Sequence, residues 1–230
     1  LDRSNVGMES WEWGAQHSAT VIAWHGLART GRDMDELAAH LGTRYRVICP
    51  DTLGRGLSQW SPDPQREYQL AFYARIATDL FDQLHIDKAH WVGTSMGGAI
   101  GTVCASGLFE PTMRGRIRSL VLNDTAPQIA DPAISRIRSY AGNPPAFDTM
   151  LALEAFFRQV YKPYGWLSDA QWRRLTETSA RRLPDGRLPE VPAGVRSEVL
   201  ARRPDGRASE LRLRRSLAQV DATRGSYYPT

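Results

Sequence analysis

Cysteine is nearly absent from this chain, with Cys49 and Cys104 the only two, and that scarcity argues against a disulfide framework. Cys49 lies in an apolar run before Pro50 and Cys104 in a small-residue stretch, so both read as buried thiols, which suits the cytoplasm. No His/Cys/Asp group has ligand spacing, so no metal is expected. Apolar runs of membrane length are missing, no secretory segment opens the chain, and no membrane partner is implied. A Gly-x-Gly-x-x-Gly between strand and helix is also missing, so no dinucleotide and no other cofactor is expected. An excess of one charge sign is lacking over most of the length. The net charge is +4, but residues 189–230 hold 8 arginines against 5 acids, leaving 21 basic and 20 acidic residues before them. Basicity confined to the tail, without interleaved aromatics, gives no reason to expect a nucleic-acid partner. Histidine is scarce too: the five are His17, His25, His40, His85 and His90, and none follows.

What is present is organised around Trp91-Val92-Gly93-Thr94-Ser95-Met96-Gly97-Gly98. An apolar lead-in predicts a strand, and the exit through Ala99, Ile100 and Gly101 predicts a helix. A serine on so sharp a turn needs glycines two residues before and after it, because side chains there would crowd the turn. The alternative is a glycine-rich turn that only packs a helix close to a strand. Around this stretch, Thr20–Trp24, Tyr45–Cys49, His90–Val92 and Ile117–Asn123 predict strands, and Met8–Trp13 an early edge strand. Asp33–Leu41, closed by Gly42, predicts a helix, as does the spacing of Leu70, Tyr73, Ile76, Leu80 and Leu84. Strands alternating with helices imply an α/β fold with a mostly parallel sheet flanked by helices. After Asp124 the pattern turns to helices without strands: one opened by Asp131-Pro132, one marked by Leu153, Phe156, Phe157 and Val160, and one capped by Ser168 with Gln171.

Three segments together, Gly93-x-Ser95-x-Gly97, His25-Gly26-Leu27 and Pro50-Asp51-Thr52-Leu53-Gly54-Arg55-Gly56-Leu57-Ser58, resemble the α/β-hydrolase family from about Val21 to about Leu188. The resemblance implies a hydrolase core over 1–126, a helical lid over 127–188, and a small-molecule substrate. It implies Ser95 as nucleophile, the N–H groups of Met96 and Leu27 as oxyanion donors, and Gly26 in the oxyanion loop. Asp124, at the end of the strand after the serine, stands where some members place the triad acid; its alternative role is to cap the next loop. A serine at position 95 also separates the chain from the dehalogenase and epoxide hydrolase branches, which use aspartate there.

The expected triad order is serine, acid, histidine, and no histidine follows Ser95. His25 belongs to the oxyanion loop and is a poor general base; the other four flank strands or helix ends. The tail at 189–230 is rich in arginine and poor in strand patterning, where the family carries further strands; Asp221 there matches no family motif. Truncation, a frameshift near Leu188, or a protein that binds without turnover would each account for this. The first two predict an unpaired sheet edge and a chain that associates. The expected activity is hydrolysis of a small carboxylic ester, lactone or thioester through an acyl-enzyme, with carbon–carbon bond hydrolysis open on the same scaffold. The alternative is a catalytically dead ligand- or partner-binding module.

Overall fold

The computed structural model describes residues 7–125, 146–181 and 188–189. Its centre is a five-stranded sheet of β1 (Ser10–Trp13), β2 (Thr20–Trp24), β3 (Arg46–Pro50), β4 (Ala89–Thr94) and β5 (Ile117–Asn123), in the order β1-β3-β2-β4-β5. Only β1 runs antiparallel, against β3; the β2–β3, β2–β4 and β4–β5 pairs are parallel. Every residue of β2 is buried, as a continuous apolar run predicts for a strand covered on both faces. Its side chains alternate accordingly. Ile22 and Trp24 join Ile48 and Trp91 against Tyr73, Ala77 and Phe81 of α3 (Leu70–Gln83), which follows the single turn α2 (Pro64–Glu67), and Ile100 and Cys104 of α4 (Met96–Ser106). Val21 and Ala23 join Val47, Cys49, Met34 and Ala38 on the other face, under α1 (Asp35–Leu41). Both cysteines are free and buried, and burial pushes their thiols up, away from the reactive thiolate.

The chain leaves β2 towards β3 on one side, and β4 and β5 extend the sheet on the other. The crevice between the C-terminal ends of β2 and β4 is therefore the topological switch point, where ligands of such sheets gather. At its far side β5 pairs only with β4 among the described residues, and Val121 on it is 52% exposed.

Gly42 closes α1 as expected. It does so at φ −61° and ψ −14°, not in the left-handed conformation usual after a helix. Its value lies in close approach: a Cβ there would stand 3.0 Å from Cβ of Trp13, so a side chain would press on β1. Pro50 closes β3 from within the strand, as its last residue.

Beyond the sheet, α5 (Met150–Val160) and α6 (Asp169–Ser179) pack on each other through Leu153, Phe157, Tyr161 and Trp172. The capping box at Ser168 and Gln171 is present as its sequence predicts. The region is not purely helical. Ala146–Phe147 (β6) pairs antiparallel with Leu188–Pro189 (β7), drawing the two ends of the segment together. The helix expected from Asp131 and the tail containing Asp221 lie outside the described residues.

Candidate active site

Ser95 stands at the switch point, between β4 and α4, at φ 50° and ψ −112°. That conformation lies outside the regions an L-residue adopts freely and costs on the order of 1–3 kcal/mol. The surroundings hold it there. The Ser95 N–H donates to the Asn123 carbonyl at 2.9 Å, and the Ser95 carbonyl accepts from the Thr125 hydroxyl at 3.0 Å and from the Ala99 N–H at 3.1 Å. Asn123 also donates to the Thr94 hydroxyl, so the end of β5 grips the turn from both sides. The serine side chain does not cap α4, and no described residue hydrogen-bonds its Oγ. The hydroxyl is thus presented and unengaged. Ser95→Gly is expected to raise unfolding free energy by about 1 kcal/mol in urea, as relieved strain outweighs glycine's added chain entropy. A loss of stability would show that the turn stores no strain.

Gly26 faces the serine: a Cβ on Gly26 would lie 3.7 Å from that of Ser95. The peptide joining Gly26 to Leu27 is trans and is held on its carbonyl side. His25 Nδ1–H donates to the Gly26 carbonyl at 2.6 Å, and the Arg29 N–H adds a 3.3 Å bond to the same oxygen. In a trans peptide C=O and N–H point oppositely, so fixing that oxygen turns the Leu27 N–H to the other side. His25 itself is fully buried, and its Nε2 accepts from the Thr52 N–H at 3.0 Å, with the Thr52 hydroxyl 2.9 Å away. The same hydroxyl accepts from Trp24 Nε1 at 2.7 Å. Burial lowers the His25 pKa to about 4. The imidazole is neutral at pH 7, with both nitrogens occupied by structural partners. It cannot serve Ser95 as a base.

The other four histidines are remote by topology. His17 precedes β2, His40 lies near the end of α1 before β3, His85 precedes β4, and His90 sits at its start, hydrogen-bonded to Ser119. All four thus lie at the N-terminal edge of the parallel strands, opposite the serine. Asp124 follows β5 directly, exposed and at φ 50°, and among the described residues no hydrogen bond or ion pair reaches it. Met96 opens α4, where the first N–H groups have no partner within the helix.

The rest of the setting comes from residues whose roles the sequence did not disclose. Asp51 is buried at the end of β3; its carboxylate accepts from the Gly31 N–H at 2.6 Å and the Leu57 N–H at 2.9 Å, tying two loops together. Burial raises its pKa despite those bonds. Trp24 and Trp91 stack at 5.1 Å under the turn, and Trp91 Nε1 donates to the Gly97 carbonyl at 3.0 Å. Helices α5 and α6 sit over the loops that follow β2 and β3. Arg174 pairs with buried Asp35 at 2.8 Å, Thr30 donates to the Thr178 carbonyl at 3.1 Å, and Arg181 donates to the Ser58 carbonyl at 2.8 Å. Arg29 places its guanidinium 5.9 Å from the Phe157 ring and 5.5 Å from that of Tyr161. No group of His, Cys, Asp and Glu among the described residues is arranged to hold a metal ion, and none of their helices is long and apolar enough to cross a membrane.

A mostly parallel sheet with a strained serine turn at its switch point defines an α/β protein, and in such sheets ligands gather at the strands' C-terminal ends. The model of the alpha/beta hydrolase fold matches residues 19–190, and the chain belongs to that family. It is similar to the 3-hydroxybutyrate-oligomer hydrolase of Cupriavidus necator, 39% identical over 165 residues, which are 71% of this chain and 54% of that protein. It is also similar to the 2-hydroxymuconate semialdehyde hydrolase of a Pseudomonas species, 33% identical over 51% of this chain and 38% of the relative. Among solved structures, an alpha/beta hydrolase from Novosphingobium aromaticivorans superposes with a TM-score of 0.69 at 27% identity, covering 84% of this chain and 65% of the other. The chain thus spans about half the length of the first relative and about two thirds of that structure.

Proposed function

We propose that Ser95 is the nucleophile of a carboxylic ester hydrolase, with the N–H groups of Leu27 and Met96 as oxyanion donors. The observation that carries this reading is the strained, unengaged serine facing Gly26 at the start of α4. Its Oγ would attack the ester carbonyl carbon, its proton passing to a base, and the carbonyl oxygen would become an anion between the two N–H donors. Collapse breaks the bond to the leaving oxygen, which takes up a proton; water then cleaves the acyl-serine to give the acid. Short esters of hydroxy acids are the substrate class we favour, supported by the similarity to a hydrolase of 3-hydroxybutyrate oligomers. Helices α5 and α6 would form the lid, a role supported by their seat over the loops after β2 and β3.

None of the five histidines is placed to act as the base, and the second reading is a module that binds an acyl ligand without turning it over. Hydrolysis rates separate the two poorly. A serine without its base retains only the oxyanion and binding contributions, roughly 10³–10⁴-fold over water, and these survive loss of the serine. Covalent capture separates them well. A fluorophosphonate should label Ser95, faster with added imidazole, and not label Ser95→Ala. Saturable binding of a 3-hydroxybutyrate trimer with no label at Ser95, even with imidazole, would reject the nucleophile and favour the module.

A further inference from the structure

Arg55 is fully buried, yet none of the ion pairs among the described residues includes it. Its partners are neutral. Nε donates to the Leu27 carbonyl at 3.0 Å, and Nη1 donates to the Leu53 carbonyl at 2.9 Å and the Tyr73 hydroxyl at 3.2 Å. The guanidinium lies 5.0 Å from the Tyr68 ring, and Nη2 is buried with no acceptor. A buried cation without a counter-charge is costly to fold around. Here it is attached to the carbonyl of the very residue whose N–H turns towards the serine side, while the Asp51 carboxylate nearby is engaged by the Gly31 and Leu57 N–H groups and makes no ion pair with the guanidinium.

We propose that Arg55 is a positioning residue whose uncompensated charge, acting through Leu27, selectively stabilises negative charge developing at the centre attacked by Ser95. This rests on Ser95 being the nucleophile. A fixed charge within a few bonds' reach, in surroundings of effective dielectric about 20, is felt by an anion and not by a neutral ligand of the same shape. The two are compared directly with butylboronic acid and butyramide. In the first, boron accepts the Ser95 Oγ electron pair, the hydroxyl proton leaves to solvent, and a tetrahedral boronate anion results. Butyramide stays neutral.

The test measures affinity for both by competition with fluorophosphonate labelling. In Arg55→Gln, and in Tyr73→Glu, which neutralises the guanidinium in place, the ratio of boronic acid to amide affinity should fall about ten-fold. In Arg55→Lys the ratio should stay within about three-fold of the parent. Ratios unchanged in the neutral variants, or a fall in Arg55→Lys matching theirs, would overturn the proposal and assign Arg55 to shape alone. If neither neutral variant melts cooperatively, Arg55→Lys decides: an unchanged ratio supports the charge and a ten-fold fall overturns it. Failure of the serine reading shows itself separately, as boronic acid binding that Ser95→Ala leaves intact, and the proposal then falls with it.

Discussion

Replacing Gly97 by alanine should destabilise the protein by at least about 3 kcal/mol, at the upper end for overpacking in a core. The added Cβ would stand 2.2 Å from the Trp24 carbonyl oxygen, 2.7 Å from its carbon and 2.8 Å from the His25 carbonyl oxygen. These are backbone atoms, not the movable ends of side chains. Trp24 ends β2, paired with Gly93 of β4, and His25 follows it directly with its ring fixed by Thr52, so this backbone has little room to retreat. Nor can α4 lift away without breaking the Trp91–Gly97 bond and the grip of Asn123 and Thr125 on Ser95. Gly93→Ala meets the same helix from below, 2.3 Å from the Gly97 carbonyl oxygen, so both substitutions push on the Gly97 turn and their effects should not add. Urea unfolding of both singles and the double checks this. A Gly97→Ala protein within about 1 kcal/mol of the parent would mean that strand and helix are packed less tightly than described.

Acid should remove about 3 kcal/mol of stability through His25 alone. Its folded pKa of about 4 lies below the ordinary value of 6.5, so between these values the unfolded chain carries the proton and the folded protein does not. Stability therefore rises with pH across that window, is fully regained above about 6.5, and is lost as pH falls towards 4. Carboxylates titrate in the same region, so the comparison is with His25→Asn, measured by urea unfolding at half-unit steps from pH 7.5 to 3.5. The parent's curve should be steeper between pH 6.5 and 4, and parallel curves there would rule out the buried neutral imidazole. Where the folded protein does take up that proton, Nε2 can no longer accept from Thr52, and the Gly26–Leu27 peptide loses part of its anchorage.

The sheet was legible because its strands announce themselves: Thr20–Trp24 has no polar face to hide, and Ile117–Asn123 is bounded as its sequence suggests. The turn at Ser95 was legible for a related reason, since its glycines answer steric needs that a sharp strand–turn–helix imposes. Helical spacing likewise marked Leu153 and Phe157 as buried. What escaped were contacts between distant segments. Thr52 and Arg55 stood inside a recognised stretch, but nothing local says that one receives the His25 ring and the other the Leu27 carbonyl. A buried arginine looks like a surface arginine in one dimension. Gly42 closes its helix as the sequence suggests, but the Ala38 carbonyl and Trp13 that would crowd a side chain there could not be read locally. The pairing of β6 with β7 was hidden because two residues on each arm carry no periodicity.

The stacked indoles of Trp24 and Trp91 give the site an optical handle. One ring is hydrogen-bonded to Thr52, in the loop after β3, the other to the Gly97 carbonyl in the first turn of α4. Their ring centroids are 5.1 Å apart and their planes 12° from parallel, and both rings are fully buried, so the pair shares one environment beneath the serine turn. A ligand that displaces Thr52 or the Gly97 carbonyl alters the hydrogen bond of one indole, so occupancy of the crevice is expected to shift tryptophan emission, read without a label or a turnover assay.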